Sequence, residues 1–127
     1  MEKYRILCVD DDITMLNSLE DILMAAGYEV SLSKSGAQAL KILERKIPCD
    51  LILLDVEMPD MDGYETLEKI QGIKGCEEIP VIFLTGIDAP DFEIRGLEIG
   101  AADYIVKPFI NPLQALQLHI YQHHFQV

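Results

Sequence analysis

Short apolar runs alternate along the chain with longer segments that repeat apolar residues every three or four positions. The apolar runs cover residues 4–9, 28–33, 50–54, 79–84 and 103–106. Several of them are apolar throughout, which is typical of strands covered by helices on both faces of a sheet. The pattern therefore predicts five strands in the interior of one domain.

Five helices are predicted between and after these strands. The first carries an apolar stripe and ends at Gly27, where a left-handed cap is expected. The residues of this stripe are Leu16, Leu19, Ile22, Leu23 and Ala26. The second helix begins after Ser35, a good N-cap, and runs to about residue 46. The third covers about 64–73, the fourth 91–99, and the fifth starts near Pro112, a favoured first-turn residue.

This alternation predicts parallel strands joined by right-handed helical crossovers. Helices on both faces make a doubly wound α/β sheet, and for 127 residues the expected solution is the flavodoxin-like strand order 2-1-3-4-5. We expect a single domain over residues 1–127. Ligands of such sheets bind beyond the carboxyl ends of the strands, at the switch point between strands 1 and 3.

Polar side chains follow four of the predicted strands. Strand 1 leads into three consecutive aspartates at 10–12, strand 3 into Asp55, strand 4 into Thr85 and strand 5 into Lys107. Taken singly, each is typical of a cap or a turn. Because strands 1, 3, 4 and 5 are neighbours in the expected order, their ends meet at one edge and indicate a site.

The chemistry of such a site follows from its charges. Carboxylates within a few ångströms of one another repel, and at least one pKa rises unless a cation joins them. Lys107 supplies one positive charge, and Mg²⁺, which prefers oxygen ligands, would complete the neutralisation. A carboxylate beside Mg²⁺, a lysine and a threonine hydroxyl is suited to phosphoryl transfer.

The net charge, the cysteine spacing and the length of the apolar runs each argue against certain classes of protein. The 22 acidic and 10 basic residues give a net charge of −12, which opposes binding of nucleic acid by this chain alone. Cys8, Cys49 and Cys76 form no Cys-x-x-Cys pair, so neither a disulfide framework nor a zinc site is indicated. No apolar run approaches the ~20 residues that span a bilayer. We therefore expect a cytoplasmic domain that does not enter the membrane.

Four segments, in this order, resemble the receiver domain of two-component response regulators. They are residues 6–12 (ILCVDDD), 51–63 (LILLDVEMPDMDG), 81–86 (VIFLTG) and 100–109 (GAADYIVKPF). Each segment alone is weakly specific, whereas the four together cover essentially the whole chain. The resemblance implies a regulatory domain rather than an enzyme acting on a separate substrate. It would accept a phosphoryl group from a sensor histidine kinase, a phosphotransfer protein or acetyl phosphate, and catalyse its own phosphorylation and slow dephosphorylation.

The resemblance also implies a role for each matching position. Asp55 would be the phospho-acceptor. The Mg²⁺ ligands would be Asp10, Asp11, Asp55 and the backbone carbonyl of Glu57. Thr85 and Lys107 would contact the phosphoryl group. Tyr104 would be the aromatic switch residue that turns inward with Thr85, and the Lys107–Pro108 bond would be cis.

Other families and roles remain open at this stage. The run at residues 10–14 also fits the Asp-x-Asp-x-Thr motif of haloacid-dehalogenase-like phosphatases, which would make Asp10 the nucleophile, although no Asp or Glu follows Lys107. A flavodoxin is excluded, because its phosphate loop needs hydroxyls and glycine after strand 1, where this chain has three aspartates. A receiver-like module that is never phosphorylated is the remaining alternative, and nothing supports it, since all five chemical positions are filled. We expect Asp12 to cap a helix. The same reasoning assigns Asp60 and Asp62 to turns, the cysteines to packing, and His119, His123 and His124 to the surface.

The predicted fifth helix suggests a partner surface. Residues 108–127 contain no Asp, Glu, Lys or Arg. One apolar stripe, Leu113, Leu116 and Ile120, suffices for packing on the sheet. A second, Leu118, Tyr121 and Phe125, would project outward as an apolar patch. We expect this patch to serve a homodimer or output contact; the alternative is that it continues into a linker helix.

Overall fold

The computed structural model describes residues 3–86 and 98–107. In chain order, its elements are β1 (Arg5–Val9), α1 (Ile13–Ala25), β2 (Glu29–Ser33), α2 (Gly36–Glu44), β3 (Leu51–Asp55), α3 (Gly63–Gln71), β4 (Val81–Thr85) and β5 (Asp103–Val106). All five strands and the second and third helices lie within two residues of their predicted positions, and the first helix ends at Ala25, two residues before its predicted cap at Gly27. Most of the predicted fourth helix and all of the fifth lie outside the described residues.

The five strands form one parallel sheet in the order β2-β1-β3-β4-β5, which confirms the predicted topology. β3 is central: Leu53 lies beside Cys8 of β1 on one side and Ile82 of β4 on the other. Within the described residues, no helix is both long and apolar enough to cross a membrane.

Both faces of the sheet are buried, because successive side chains of the apolar strands point to opposite faces. On one face, strand residues such as Ile52 and Phe83 pack against Leu43 of α2 and Leu67 of α3. On the other face, the alternate strand residues pack against α1. That second core consists of Ile6, Cys8, Leu16, Leu19, Leu23, Leu51, Leu53, Ile82 and Leu84.

Short polar side chains cap the helices where the sequence places them. The side chain of Asp12 accepts the Thr14 N–H at 2.9 Å and caps α1. Ser35 caps α2 and Asp62 caps α3 in the same way. The predicted stripe of α1 was wrong at one position: Ala26 is exposed, because the helix ends at Ala25 and the chain turns away through Gly27, whose φ is +96°.

Gly63 begins α3 directly beneath the end of β3. A Cβ at this position would lie 2.6 Å from the carbonyl oxygen of Asp55 and 2.8 Å from the Cα of Val56. The Gly63 N–H also donates to the Val56 carbonyl at 2.8 Å. The first turn of α3 can therefore approach the end of β3 this closely only because residue 63 has no side chain.

We expect Gly63→Ala to lower the free energy of unfolding by about 1–3 kcal/mol, because the added methyl group overlaps backbone that cannot move aside freely. Denaturation by urea would measure the change. Gly72→Ala is the matched control: this C-cap of α3 has φ −84°, and a Cβ there would meet its nearest atom at 3.5 Å. Equal effects of the two substitutions would contradict this account of the β3–α3 contact.

Candidate functional site

The carboxyl edge of the sheet brings together the polar residues that follow four strands. Asp10 comes directly after β1, Asp55 and Thr85 end β3 and β4, and Lys107 comes directly after β5. Their side chains are largely withdrawn from solvent, since Asp10 is 1% exposed, Asp55 5% and Thr85 2%. Buried polar groups at one point need either mutual partners or a ligand.

Lys107 joins the two buried carboxylates. Its Nζ donates to Asp10 Oδ2 at 2.8 Å and to Asp55 Oδ1 at 3.2 Å. The backbone N–H of Lys107 donates to the Thr85 carbonyl at 2.7 Å, which fixes the chain at the end of β5. The ammonium group of Lys107, which follows β5, therefore bridges the carboxylates at the ends of β1 and β3, although β4 lies between β5 and β3.

Asp10 is oriented by hydrogen bonds at both ends. Its N–H donates to the carbonyl of Ser33 at 3.0 Å, and its Oδ1 accepts the Asp12 N–H at 3.0 Å. Ser33 is buried and donates its hydroxyl to the Ser35 carbonyl at 2.8 Å. Sequence reasoning missed the contribution of Ser33, although its place at the end of the strand beside β1 was a usable signal.

Three carboxylates could hold a cation here. One oxygen each of Asp10, Asp11 and Asp55 lies within 4.8 Å of the others, and Asp11 is exposed to solvent. With all three ionised, Lys107 leaves a net charge of −2, which a divalent cation would balance. Oxygen donors of this kind fit Mg²⁺. Glu57 is exposed in the loop after β3, and the role of its carbonyl stays a prediction.

The acid–base properties of the pair reflect its burial. Burial, with the negative charge of Asp10, raises the pKa of Asp55 to about 7, although Lys107 acts in the opposite direction. For Lys107, burial disfavours the ammonium form. The hydrogen bond to Asp10 and the negative charges of both carboxylates outweigh burial, so the pKa of Lys107 is raised above its ordinary value. The lysine therefore stays charged, while one carboxylate remains incompletely neutralised.

Thr85 has an unsatisfied hydroxyl. Its Oγ1 is buried and has no hydrogen-bond partner among the described residues. A buried hydroxyl without a partner costs about 1–3 kcal/mol. A ligand oxygen near the ends of β3 and β4 would satisfy it. Sequence reasoning identified the residue but could not reveal that its hydroxyl lacks a partner.

Tyr104 lies on β5, half-buried, with Phe83 of β4 as its register partner. It packs against the core on the face that α2 and α3 cover. Its role as a switch residue stays a prediction. Pro108, the three histidines and the apolar patch of the fifth predicted helix lie outside the described residues.

The fold and the site together define a class: doubly wound parallel α/β domains with an acidic, lysine-bridged cluster at the switch point between β1 and β3. The family model described as the response regulator receiver domain matches residues 6–120. The chain belongs to this family, and its expected class of regulatory domain is thereby confirmed.

Solved structures agree in fold. A putative response regulator from Chloroflexus aurantiacus superimposes with a TM-score of 0.88 at 34% identity, covering 98% of this chain and 100% of that one. The chemotaxis protein CheY4 of Vibrio cholerae gives a TM-score of 0.85 at 31% identity, covering 96% of this chain and 99% of that one.

Curated relatives are longer than this chain. A probable cyclic di-GMP phosphodiesterase of Vibrio cholerae is 42% identical over 94% of this chain, but the match spans 26% of the relative. The transcriptional regulatory protein ZraR of Klebsiella oxytoca is 40% identical over 84% of this chain and 24% of its own length. The chain thus spans about a quarter of these two relatives, which bear different functional descriptions.

The raised pKa of Asp55 predicts a pH-dependent stability in the presence of a metal chelator. The folded pKa of about 7 exceeds the ordinary value of 3.8, so folded Asp55 retains a proton that the unfolded chain has lost. The stability that this proton contributes is present below about pH 4 and is lost as the pH rises to 7. Urea denaturation across this range should show a steeper decline for the native protein than for Asp55→Asn. Parallel profiles would contradict the assignment.

Proposed function

We propose that this receiver domain accepts a phosphoryl group on Asp55, from the phosphohistidine of a sensor histidine kinase or phosphotransfer protein or from acetyl phosphate. The observation that carries the proposal is a lysine ammonium 3.2 Å from Asp55, with the buried Thr85 hydroxyl, which has no partner among the described residues, at the end of the neighbouring strand. This combination offers a nucleophile, a fixed positive charge and an unused hydrogen-bond donor.

The transfer requires one bond to form and one to break. An oxygen of Asp55 bonds to phosphorus while the bond between phosphorus and the donor breaks. The electron pair leaves with the imidazole nitrogen of a phosphohistidine or with the acetate oxygen of acetyl phosphate. Lys107 stabilises the negative charge on the phosphoryl oxygens, and the Thr85 hydroxyl donates a hydrogen bond to one of them. The same groups would support self-catalysed phosphorylation by a small donor and slow hydrolysis of the acyl phosphate.

Asp55 is a better nucleophile candidate than Asp10. Both oxygens of Asp10 already accept hydrogen bonds, from Lys107 and from the Asp12 N–H. Asp55 receives a hydrogen bond from Lys107 on Oδ1. This difference, together with the family, argues against the phosphatase-like alternative in which Asp10 would attack.

Asp10, Asp11, Asp55 and the backbone carbonyl of Glu57 would hold Mg²⁺. The bound ion would supply the charge neutralisation that Lys107 leaves incomplete among these carboxylates. Asp11, the exposed member of the cluster, is the ligand whose removal disturbs the buried pair least.

Phosphorylation would control an output or partner. We propose that Thr85 moves to the phosphoryl group and that Tyr104 turns inward with it, altering the surface around β5. The domain would be a single unit over residues 1–127 and would act in the cytoplasm, where Cys8, Cys49 and Cys76, all free thiols in the structure, stay reduced. A homodimer or output contact through the predicted fifth helix belongs to the same proposal.

Incubation with acetyl phosphate and Mg²⁺ should add one phosphoryl group to the native protein, measured by intact mass. Asp55→Asn should abolish the addition, because an amide cannot attack phosphorus as a carboxylate does. Lys107→Ala should reduce its rate about 100-fold or more, since removal of one charge-stabilising donor typically costs that much.

Asp60→Asn is the matched control for the acceptor. Asp60 is exposed in the loop after β3 with φ +68°, a conformation that asparagine tolerates, so this variant should be labelled like the native protein. Peptide mapping that places the label on Asp10, or native-level labelling of Asp55→Asn, would refute the proposal.

Mg²⁺ should stabilise the fold by about 2.7 kcal/mol at a hundredfold excess over its Kd, if it binds only the folded state. Thermal unfolding with millimolar Mg²⁺ should therefore show a higher midpoint, and Asp11→Ala should lose most of the increase. Asp21→Ala, which removes an exposed carboxylate of α1, should retain it. Equal responses of the two variants would show that the carboxylate cluster is not the metal site.

A further inference from the structure

The segment around α2 has a local excess of basic side chains. Residues 30–49 contain four basic side chains, Lys34, Lys41, Arg45 and Lys46, and one acidic side chain, Glu44, for a net charge of +3. The whole chain carries −12, so the remainder carries −15. Nothing in the phosphoryl site requires this positive segment.

The two cations on α2 lie free on the surface. Lys41 and Arg45 are exposed, and within residues 3–86 and 98–107 neither forms an ion pair. Arg5 and Lys69 do find partners: Arg5 pairs with Glu29 at 2.9 Å and Lys69 with Glu65 at 3.3 Å. Lys3 and Lys74 are exposed and, among the described residues, also form no ion pair.

The two cations affect the helix in opposing ways. Lys41 and Arg45 are four residues apart, so they lie on one face and repel each other by a few tenths of a kcal/mol. The first turn of α2 contains no acidic residue to interact with the helix dipole. Gln38 nevertheless caps the first turn by accepting the Lys34 N–H at 2.8 Å, and the helix dipole favours cations at the last turn, where Lys41 lies. A carboxylate bound between Lys41 and Arg45 would remove their mutual repulsion.

The same face is concave and partly apolar. A shallow depression of about 430 Å³ is lined by Ser35, Ala37, Gln38, Lys41, Ile42 and Arg45. A second, of about 290 Å³, lies at the end of the helix; its lining includes the cations Lys46 and Lys74, the carboxylate Asp50 and the apolar Ile47. Ile47 is 43% exposed. Cations therefore border two depressions that each offer an isoleucine.

We propose that this α2 face binds an acidic segment of a partner protein, in which carboxylates flank one or two apolar side chains. The carboxylates would pair with Lys41 and Arg45, and the apolar side chains would contact Ile42 and Ile47. The surface is separate from the phospho-acceptor, so binding does not depend on phosphorylation.

Other anionic partners fit less well. Lys41 and Arg45 are separated by about 6 Å along the helix, which matches neighbouring carboxylates but covers little of a DNA backbone. A membrane-binding helix would need an exposed apolar face, whereas Ala39 and Leu43 of α2 are buried in the core.

The test is titration of the unphosphorylated, ¹⁵N-labelled protein with a short capped peptide that repeats Glu-Glu-Leu. Amide chemical shifts should change in α2 and at residues 46–48, and binding should weaken as salt increases. Lys41→Glu/Arg45→Glu should weaken binding at least about tenfold, as expected for the loss and reversal of two exposed charges. Lys41→Gln/Arg45→Gln should weaken it less, and both variants would be checked for folding by circular dichroism.

Lys3→Glu/Lys69→Glu is the matched control, because it makes the same change in net charge at exposed positions away from α2. It should bind the peptide within about twofold of the native protein. An equal loss in this control, or shifts that do not localise to α2, would overturn the proposal. So would tighter binding at α2 of a DNA duplex or of phosphatidylglycerol vesicles, or α2 shifts that appear on concentrating the protein alone.

Discussion

The contact on which the site depends is the single ammonium of Lys107 between Asp10 and Asp55. Two carboxylates that are almost fully buried repel each other and have lost their hydration. Lys107 offsets both costs, at 2.8 Å from one and 3.2 Å from the other. The offset is incomplete, since the pKa of Asp55 remains raised to about 7. Additional positive charge at this edge would therefore stabilise the folded state. A phospho-acceptor that works with a bound cation requires a site of this kind.

The scaffold makes this contact possible by covering the sheet on both faces. Because β3 is apolar from Leu51 to Leu54 and buried throughout, its last residue, Asp55, emerges where helices no longer cover the strand. Parallel crossovers repeat the arrangement at β1, β4 and β5, so four strand ends meet at the same edge. The polar site and the apolar core are thus consequences of one pattern.

This pattern explains why the fold and most of the site could be predicted from the sequence. Apolar runs, caps such as Ser35 and the polar residue after each strand are local signals, and the strand order follows from chain length and connectivity. Contacts between distant segments are not local signals. The close approach of Gly63 to Asp55, the bond from Asp10 to Ser33 and the unsatisfied hydroxyl of Thr85 depend on how elements pack, so only the structure revealed them. The prediction that Ala26 belongs to the buried stripe was wrong for a related reason. The residue at which a helix ends depends on backbone geometry that the apolar periodicity does not contain.

The two sides of Asp55 differ in how well their polar groups are satisfied. On the α3 side, Gly63 is hydrogen bonded to Val56 and Asp62 caps the helix. These groups already have hydrogen-bond partners, so they would gain no new hydrogen bonds by moving toward a new charge on Asp55. On the β4 side, the Thr85 hydroxyl has no partner among the described residues and gains a hydrogen bond from any oxygen placed near it. A conformational change is more favourable on the side where it forms a new hydrogen bond and so lowers the free energy. If Asp55 is the acceptor that we propose, the response to its phosphorylation would run through β4 and β5, while the β3–α3 connection would hold Asp55 in place.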